Sequence, residues 1–190
     1  MLNPEEVTDF WLNEVGPERW YQVDEALDAE IRSRFGKAWE DARAGGYAEW
    51  KLRSETLLAY LILLDQFPRN MFRGSDKAFA TDGMARSVAK KAIDCEWDMK
   101  VDEPERQFFY LPLMHSECLA DQERCVRLMK TRMPKSGASN LDHAKAHREV
   151  IRRFGRFPFR NKALERRDTI PETNFIGQGG YGAVLHAIQH

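Results

Sequence analysis

The sequence predicts an all-α protein, and three observations carry that prediction. No stretch of the 190 residues sustains the apolar–polar alternation of a strand between turn residues. Leu57 to Leu64 is apolar on every side apart from the Tyr60 hydroxyl, as in a helix packed all round by others. Helix caps and helix-period apolar residues recur along the rest of the chain. About six or seven helices with mostly short connections follow, stacked as helical hairpins in a layered or superhelical array.

Asn3, Pro4, Glu5 and Glu6 supply an N-cap, a first-turn proline and first-turn acids, opening a helix with Val7, Phe10 and Trp11 on one side. Gly16-Pro17 stops it. A second helix is expected from Asp24 to Ala44, with Leu27, Ile31, Phe35, Ala38 and Trp39 at helical spacing and Gly45-Gly46 after it. Ser54 is placed to cap the central helix, and Thr81 or Asp82 the helix that carries Met84, Val88 and Ile93. Pro104 suits the first turn of a helix bearing Phe108, Phe109, Leu111 and Leu113, which Pro112 must kink or divide. A longer helix is expected from Ser116 to Met133, burying Leu119, Val126, Leu128 and Met129. Another is expected from an Asn140 cap to Phe154, closed by Gly155. Thr169, Pro171 and Glu172 open a last turn. The expected organisation is one helical domain over residues 1–176, with a glycine-rich, flexible tail over 177–190.

Composition excludes several classes. The apolar run at Leu57–Leu64 is far short of the ~20 residues that cross a bilayer, so no membrane role is expected. The N-terminus is acidic and lacks a secretory pattern, which makes a reducing cytoplasm the default. Cys95, Cys118 and Cys125 have no C-x-x-C spacing; the last two are read as buried thiols on one helix face. Net charge is −1, yet Met1–Trp50 holds twelve acidic and five basic residues, whereas Arg148–Arg167 holds eight basic and two acidic. Near-neutral total charge and the lack of a recognition motif argue against nucleic acid. Glu149, Arg152 and Arg153 at helical spacing make part of the basic stretch a solvated face.

Several motifs tempt and fail. His143 and His147 stand four apart, with His115 and Glu117 as further potential metal ligands, but there is no H-E-x-x-H, and His186 and His190 repeat the spacing in the tail. No metal and no cofactor are therefore expected. His115, Ser116 and Glu117 are adjacent and cannot form a relay among themselves. Gly177, Gly179 and Gly182 match G-x-G-x-x-G without the strand and βαβ unit that give the match meaning.

What remains is polar. Pro68 lacks an N–H and disfavours helical backbone at Phe67, so the central helix is expected to end there, leaving Asp65, Gln66, Arg69, Asn70 and Arg73 at its mouth. Arg156-Phe-Pro-Phe-Arg-Asn161 echoes that turn, and Arg156, Arg160 and Asn161 are candidates with His115, Glu117 and His147. Such groups either neutralise one another or line a solvated pocket, where guanidinium forks suit a carboxylate or phosphate.

Three ordered motifs carry a family resemblance: LLDQFPRNMFRG (Leu63–Gly74), FFYLPLMHSE (Phe108–Glu117) and HREVIRRFGRFPFRN (His147–Asn161). Over residues 3–176 the chain resembles the largely bacterial family known as domain of unknown function 924. The resemblance implies a tetratricopeptide-like superhelix of stacked antiparallel helix pairs and brings no assigned activity with it. The family's F-P-H-R-N has Phe159 at the histidine position here, and its L-G-R is Leu164-Glu165-Arg166.

The leading functional expectation is a helical-repeat module that binds a small anion or an acidic peptide through the Arg-rich site. The alternative is an enzyme acting on a small anionic substrate, with Asp65, His115, Glu117 or His147 as acid or base. A third possibility is structural, both Phe-Pro turns being neutralised by internal ion pairs.

Overall fold

The computed structural model describes residues 2–190; Met1, where the expected domain begins, lies outside them. Among the described residues every regular element is helical. Where the sequence reading draws one domain and a tail, the contacts divide the chain into two compact units, Met1–Pro112 and Leu113–His190.

In the N-terminal unit the expected caps form. Asn3 and Glu6 make a reciprocal capping box on α1 (Pro4–Asp9), and the Asp24 carboxylate accepts from the backbone N–H groups of Ala26 and Leu27 at the start of α2 (Glu25–Arg43). The helix-period residues Leu27, Ile31, Phe35, Ala38 and Trp39 are all buried. α1 runs on into a π-helical turn, Phe10–Val15, whose Phe10 and Trp11 meet aromatic partners from other elements. Phe35 and Phe67 rings lie 4.7 Å apart, and Trp11 and Phe67 5.5 Å. Burying aromatic side chains of this size contributes roughly 2–3 kcal/mol each, so this cluster anchors the unit.

The central helix departs from expectation at both ends. Ser54 is the first residue of α3 (Ser54–Leu61) rather than its cap; its hydroxyl donates to Glu55. At the other end Pro68 does not stop the chain. The helix widens into a π-helical turn, Ile62–Gln66, in which the Phe67 N–H reaches back five residues to the Ile62 carbonyl, and it then continues as α4 (Phe67–Met71) with Pro68 in its first turn. Pro68 has no N–H to offer the Leu64 carbonyl four residues back. The Thr81 hydroxyl supplies that bond instead, at 2.6 Å, and accepts from Trp39 Nε1 at 3.1 Å. Thr81 precedes α5 (Asp82–Asp94), but its side chain serves the π-helical turn and not its own helix. Leu57 to Leu64 are buried throughout, as an all-apolar helix requires.

Pro112 divides the next segment as expected: a 3-10 turn, Glu105–Phe109, precedes the single turn α6 (Leu111–Met114), inside which the two units meet in sequence. The C-terminal unit then holds α7 (Leu119–Arg132) packed along α8 (Ala138–Phe154). α7 starts after Cys118, so Cys118 and Leu119 are exposed where burial was expected, and Gln122, Cys125, Leu128 and Met129 form the buried side. Burial pushes the Cys125 thiol pKa up. α8 begins two residues before Asn140 and closes on Gly155, whose left-handed backbone (φ 68°) returns an N–H to the Ile151 carbonyl.

The expected flexible tail is instead helical. Thr169 and Glu172 form a capping box on α9 (Ile170–Gly177), and α10 (Gly180–Gln189) lies on α8. Val184 joins Ala146, Val150, Ile151 and Phe157 in one core, with Tyr181, Leu185 and Ile188 packed against it. The three- and four-residue spacing of Tyr181, Val184, Leu185 and Ile188 is a helix stripe; the glycines before it hide the signal by resembling a linker.

Candidate functional site

Each Phe-Pro turn builds a polar cluster within its own unit. In the N-terminal unit the π-helical turn buries Asp65 and Gln66, and Gln66 Nε2 donates to Asp65 Oδ2 at 2.6 Å. Arg69 spans two elements: its two terminal nitrogens grip both oxygens of Asp82 at 2.9 Å, and Nη1 also donates to the Asp65 carbonyl at 2.8 Å. One turn later, Arg73 makes a fork on Asp28, which also accepts from Asn70 Nδ2 at 2.8 Å. Asp28, not singled out from sequence, and Asp82, expected only as a possible helix cap, are thus the internal partners of the first turn. Nearby, the Tyr21 hydroxyl donates to Gln107 Oε1.

In the C-terminal unit the second turn is built around a 3-10 segment, Pro158–Arg160. Glu117 accepts the Phe157 N–H at 2.8 Å and both terminal nitrogens of Arg166 at 2.8 and 3.0 Å. Burial opposes ionisation of Glu117, but the Arg166 fork and the Phe157 N–H hold its pKa below the usual carboxylate value. Arg156 makes a fork on buried Glu172 at 2.6 and 2.7 Å, which holds the Glu172 pKa far below the ordinary range. Asn161 is fixed from both ends, donating to Asp168 and accepting from Arg166 Nε. Arg166, quoted in the family motif but not assigned a role, is therefore the centre of this network.

Arg160 is set differently. It is buried, its guanidinium carbon lies 4.5 Å from the Phe157 ring centre, and Nη1 donates to the His115 carbonyl at 3.0 Å. His147 stands beside it on α8, with its ring 5.3 Å from Phe157 and 4.8 Å from Tyr181. His147 Nδ1 is 2.8 Å from the His143 carbonyl, which can only accept, so Nδ1 carries the proton and Nε2 the lone pair. Tyr181 extends the chain of bonds: its oxygen lies 3.3 Å from His147 Nδ1, and its hydroxyl points to His143 Nδ1 at 2.5 Å. Burial, outweighing the bond to the His143 carbonyl and aided by the charges of His115, Arg160 and His143, pushes the His147 pKa down to about 3. In this tautomer the neutral imidazole donates from Nδ1 and offers Nε2 as an acceptor.

The basic stretch is largely neutralised within its unit. Arg148 and Arg152 share Glu123, and Arg153 pairs with Glu149 one turn away. Among the described residues no group of three His, Cys, Asp or Glu side chains is placed to hold a metal ion, and no helix is long and apolar enough to cross a membrane.

A family model described as bacterial protein of unknown function, DUF924, matches residues 7–180. The chain belongs to the DUF924 family. It is similar to a solved structure, a protein of unknown function from Agrobacterium tumefaciens, with 40% identity, a TM-score of 0.86, and coverage of 93% of this chain and 97% of that one. Among curated proteins no match is found.

Two positions where the sequence resemblance implies a departure from the family's motifs have visible physical settings. Phe159, at the family's histidine position, stacks on Phe157 with ring centres 5.2 Å apart and sits 6.0 Å from Tyr181. Glu165, at the glycine of L-G-R, has φ 52°, while the Arg166 N–H reaches back five residues to the Asn161 carbonyl at 2.8 Å. That is the closing bond of a Schellman-type turn, whose left-handed position suits glycine.

Proposed function

We propose that this DUF924 protein is a binding module for a small anionic ligand, recognised in the C-terminal unit by Arg160, His115 and His147. The observation that carries the reading is the hydrogen bond that fixes His147. A neutral imidazole with its Nδ1–H already committed to His143 offers Nε2 as an acceptor in the neighbourhood of a guanidinium and a second histidine. A ligand that combines a carboxylate or phosphate oxygen with a hydroxyl or acid proton matches that pair of groups.

The arginine forks on Asp82, Asp28 and Glu172 argue for a narrow site. Arg69, Arg73 and Arg156 are each already engaged by an internal carboxylate, so an acidic peptide lying across them would have to displace partly buried pairs. These three arginines are scaffold in this reading, and a single small anion is favoured over a peptide. The neutral state of His147 across physiological pH also weighs against an enzyme that uses it as a general acid.

Titration calorimetry of the full chain with inorganic phosphate and with malate tests the reading. Binding of either probe, weakened about tenfold or more in Arg160→Gln and in His147→Phe but unchanged in Arg156→Gln, is the expected result. Absence of binding by both probes, or equal binding by wild type and Arg160→Gln, overturns it.

A further inference from the structure

A cleft of about 390 Å³ opens between α8, α9 and α10. Its α8 wall is cationic, with Lys145, Arg148 and Arg153, and the opposite wall is apolar, with Phe175 from α9 and Val184 and Ile188 from α10. The volume falls in the range of small-molecule pockets, ~300–1000 Å³. Arg148 is only half used: Nη1 lies 3.1 Å from Glu123 Oε2, whereas Nε is buried without a hydrogen-bond partner. A buried donor left unpaired costs free energy, and the Nε edge of a guanidinium is one that a carboxylate engages side-on with two hydrogen bonds. Lys145 pairs with Asp142 and Arg153 with Glu149, whereas Arg148 and Arg152 share the single carboxylate of Glu123, so one positive charge is left over at this wall.

We propose that this cleft binds an amphipathic organic anion, a carboxylate on an apolar chain. The carboxylate meets the guanidinium of Arg148, and the chain lies along Phe175, Val184 and Ile188. A bare phosphate or nucleotide leaves the apolar wall uncovered, and a neutral lipid leaves the extra positive charge uncompensated. This site is separate from the one at Arg160 and His147, and each proposal is tested by its own residues.

The experiment is calorimetric titration of the full chain with decanoate below its micelle concentration, alongside decanol and acetate. Saturable one-to-one binding of decanoate is expected, about tenfold tighter than decanol, with none for acetate. Arg148→Gln, which removes the guanidinium and its charge but keeps a polar side chain, should weaken decanoate about tenfold. Arg152→Gln removes the other partner of Glu123 without touching the cleft and should leave binding unchanged. Ala183→Trp, at an exposed position on the cleft wall, fills the space independently of Arg148 and should abolish binding. Decanoate that binds no tighter than decanol, binds without saturation, binds undiminished to Ala183→Trp, or produces no heat overturns the proposal.

Discussion

Thr81 Oγ1 donates at 2.6 Å to the Leu64 carbonyl, the group that Pro68 cannot reach with an N–H, and so a helix passes through a proline without losing the bond. The same oxygen accepts from Trp39 Nε1, so one fully buried hydroxyl serves two backbone-distant groups. Thr81→Val keeps the shape and removes both bonds, leaving a buried acceptor and a buried donor unpaired. It should destabilise the protein by ~2–4 kcal/mol in urea titration, with Thr81→Ser losing ~1 kcal/mol. Equal stability of the two variants would show that the relay does not hold the turn.

The fork of Arg69 on Asp82 ties α4 to α5. Removing one partner of a largely buried pair leaves the other uncompensated, so Arg69→Ala should cost ~2–4 kcal/mol and lower the melting temperature by several degrees. Arg69→Lys keeps the charge but not the planar fork and should recover only part of the loss. A melting temperature unchanged in Arg69→Ala would sink the scaffold assignment.

Acid should loosen the C-terminal unit through His147. Its folded pKa, about 3, lies below the ordinary histidine value of 6.5, so the unfolded chain takes up the proton first. The stability is therefore complete above about pH 6.5 and is lost as the pH falls toward 3, by at most ~1.4 kcal/mol per pH unit. Urea midpoints between pH 7 and 4 should fall less steeply in His147→Gln than in wild type; parallel slopes would assign the acid sensitivity elsewhere.

Glu165 occupies the left-handed position of the turn that closes after Asn161. Glu165→Gly relieves that strain, offset in part by the freer unfolded chain, and should raise stability by up to ~1 kcal/mol. A stability loss in thermal melts of this variant would mean that the Glu165 side chain contributes more than its backbone costs.

A chain ending at Gly179 removes Val184 and its packed neighbours from the core on α8. Losing one fully buried apolar side chain and three partly buried ones should cost ~3 kcal/mol or more, lowering the melting temperature by roughly 6–12 °C. Calorimetric scans that superimpose on those of the full chain would restore the picture of a dispensable tail.

Local chemistry in the sequence was sufficient for many of the helices, though not for α10 or for the passage through Pro68, because caps and apolar stripes act within a few residues. Asn3 with Glu6, Asp24, Thr169 with Glu172, and Gly155 all stand where their residue types demand, and the stripe from Leu27 to Trp39 is buried as its spacing requires. The polar residues of both Phe-Pro turns were legible as a group, but not their partners. Arg73 finds Asp28 across 45 residues, Arg166 finds Glu117 across 49, and the Leu64 carbonyl that Pro68 cannot serve is met by a hydroxyl 17 residues away from it. Periodicity and propensity carry no information over such separations; only tertiary packing decides which donor meets which acceptor, and hence which arginines are spent on the scaffold.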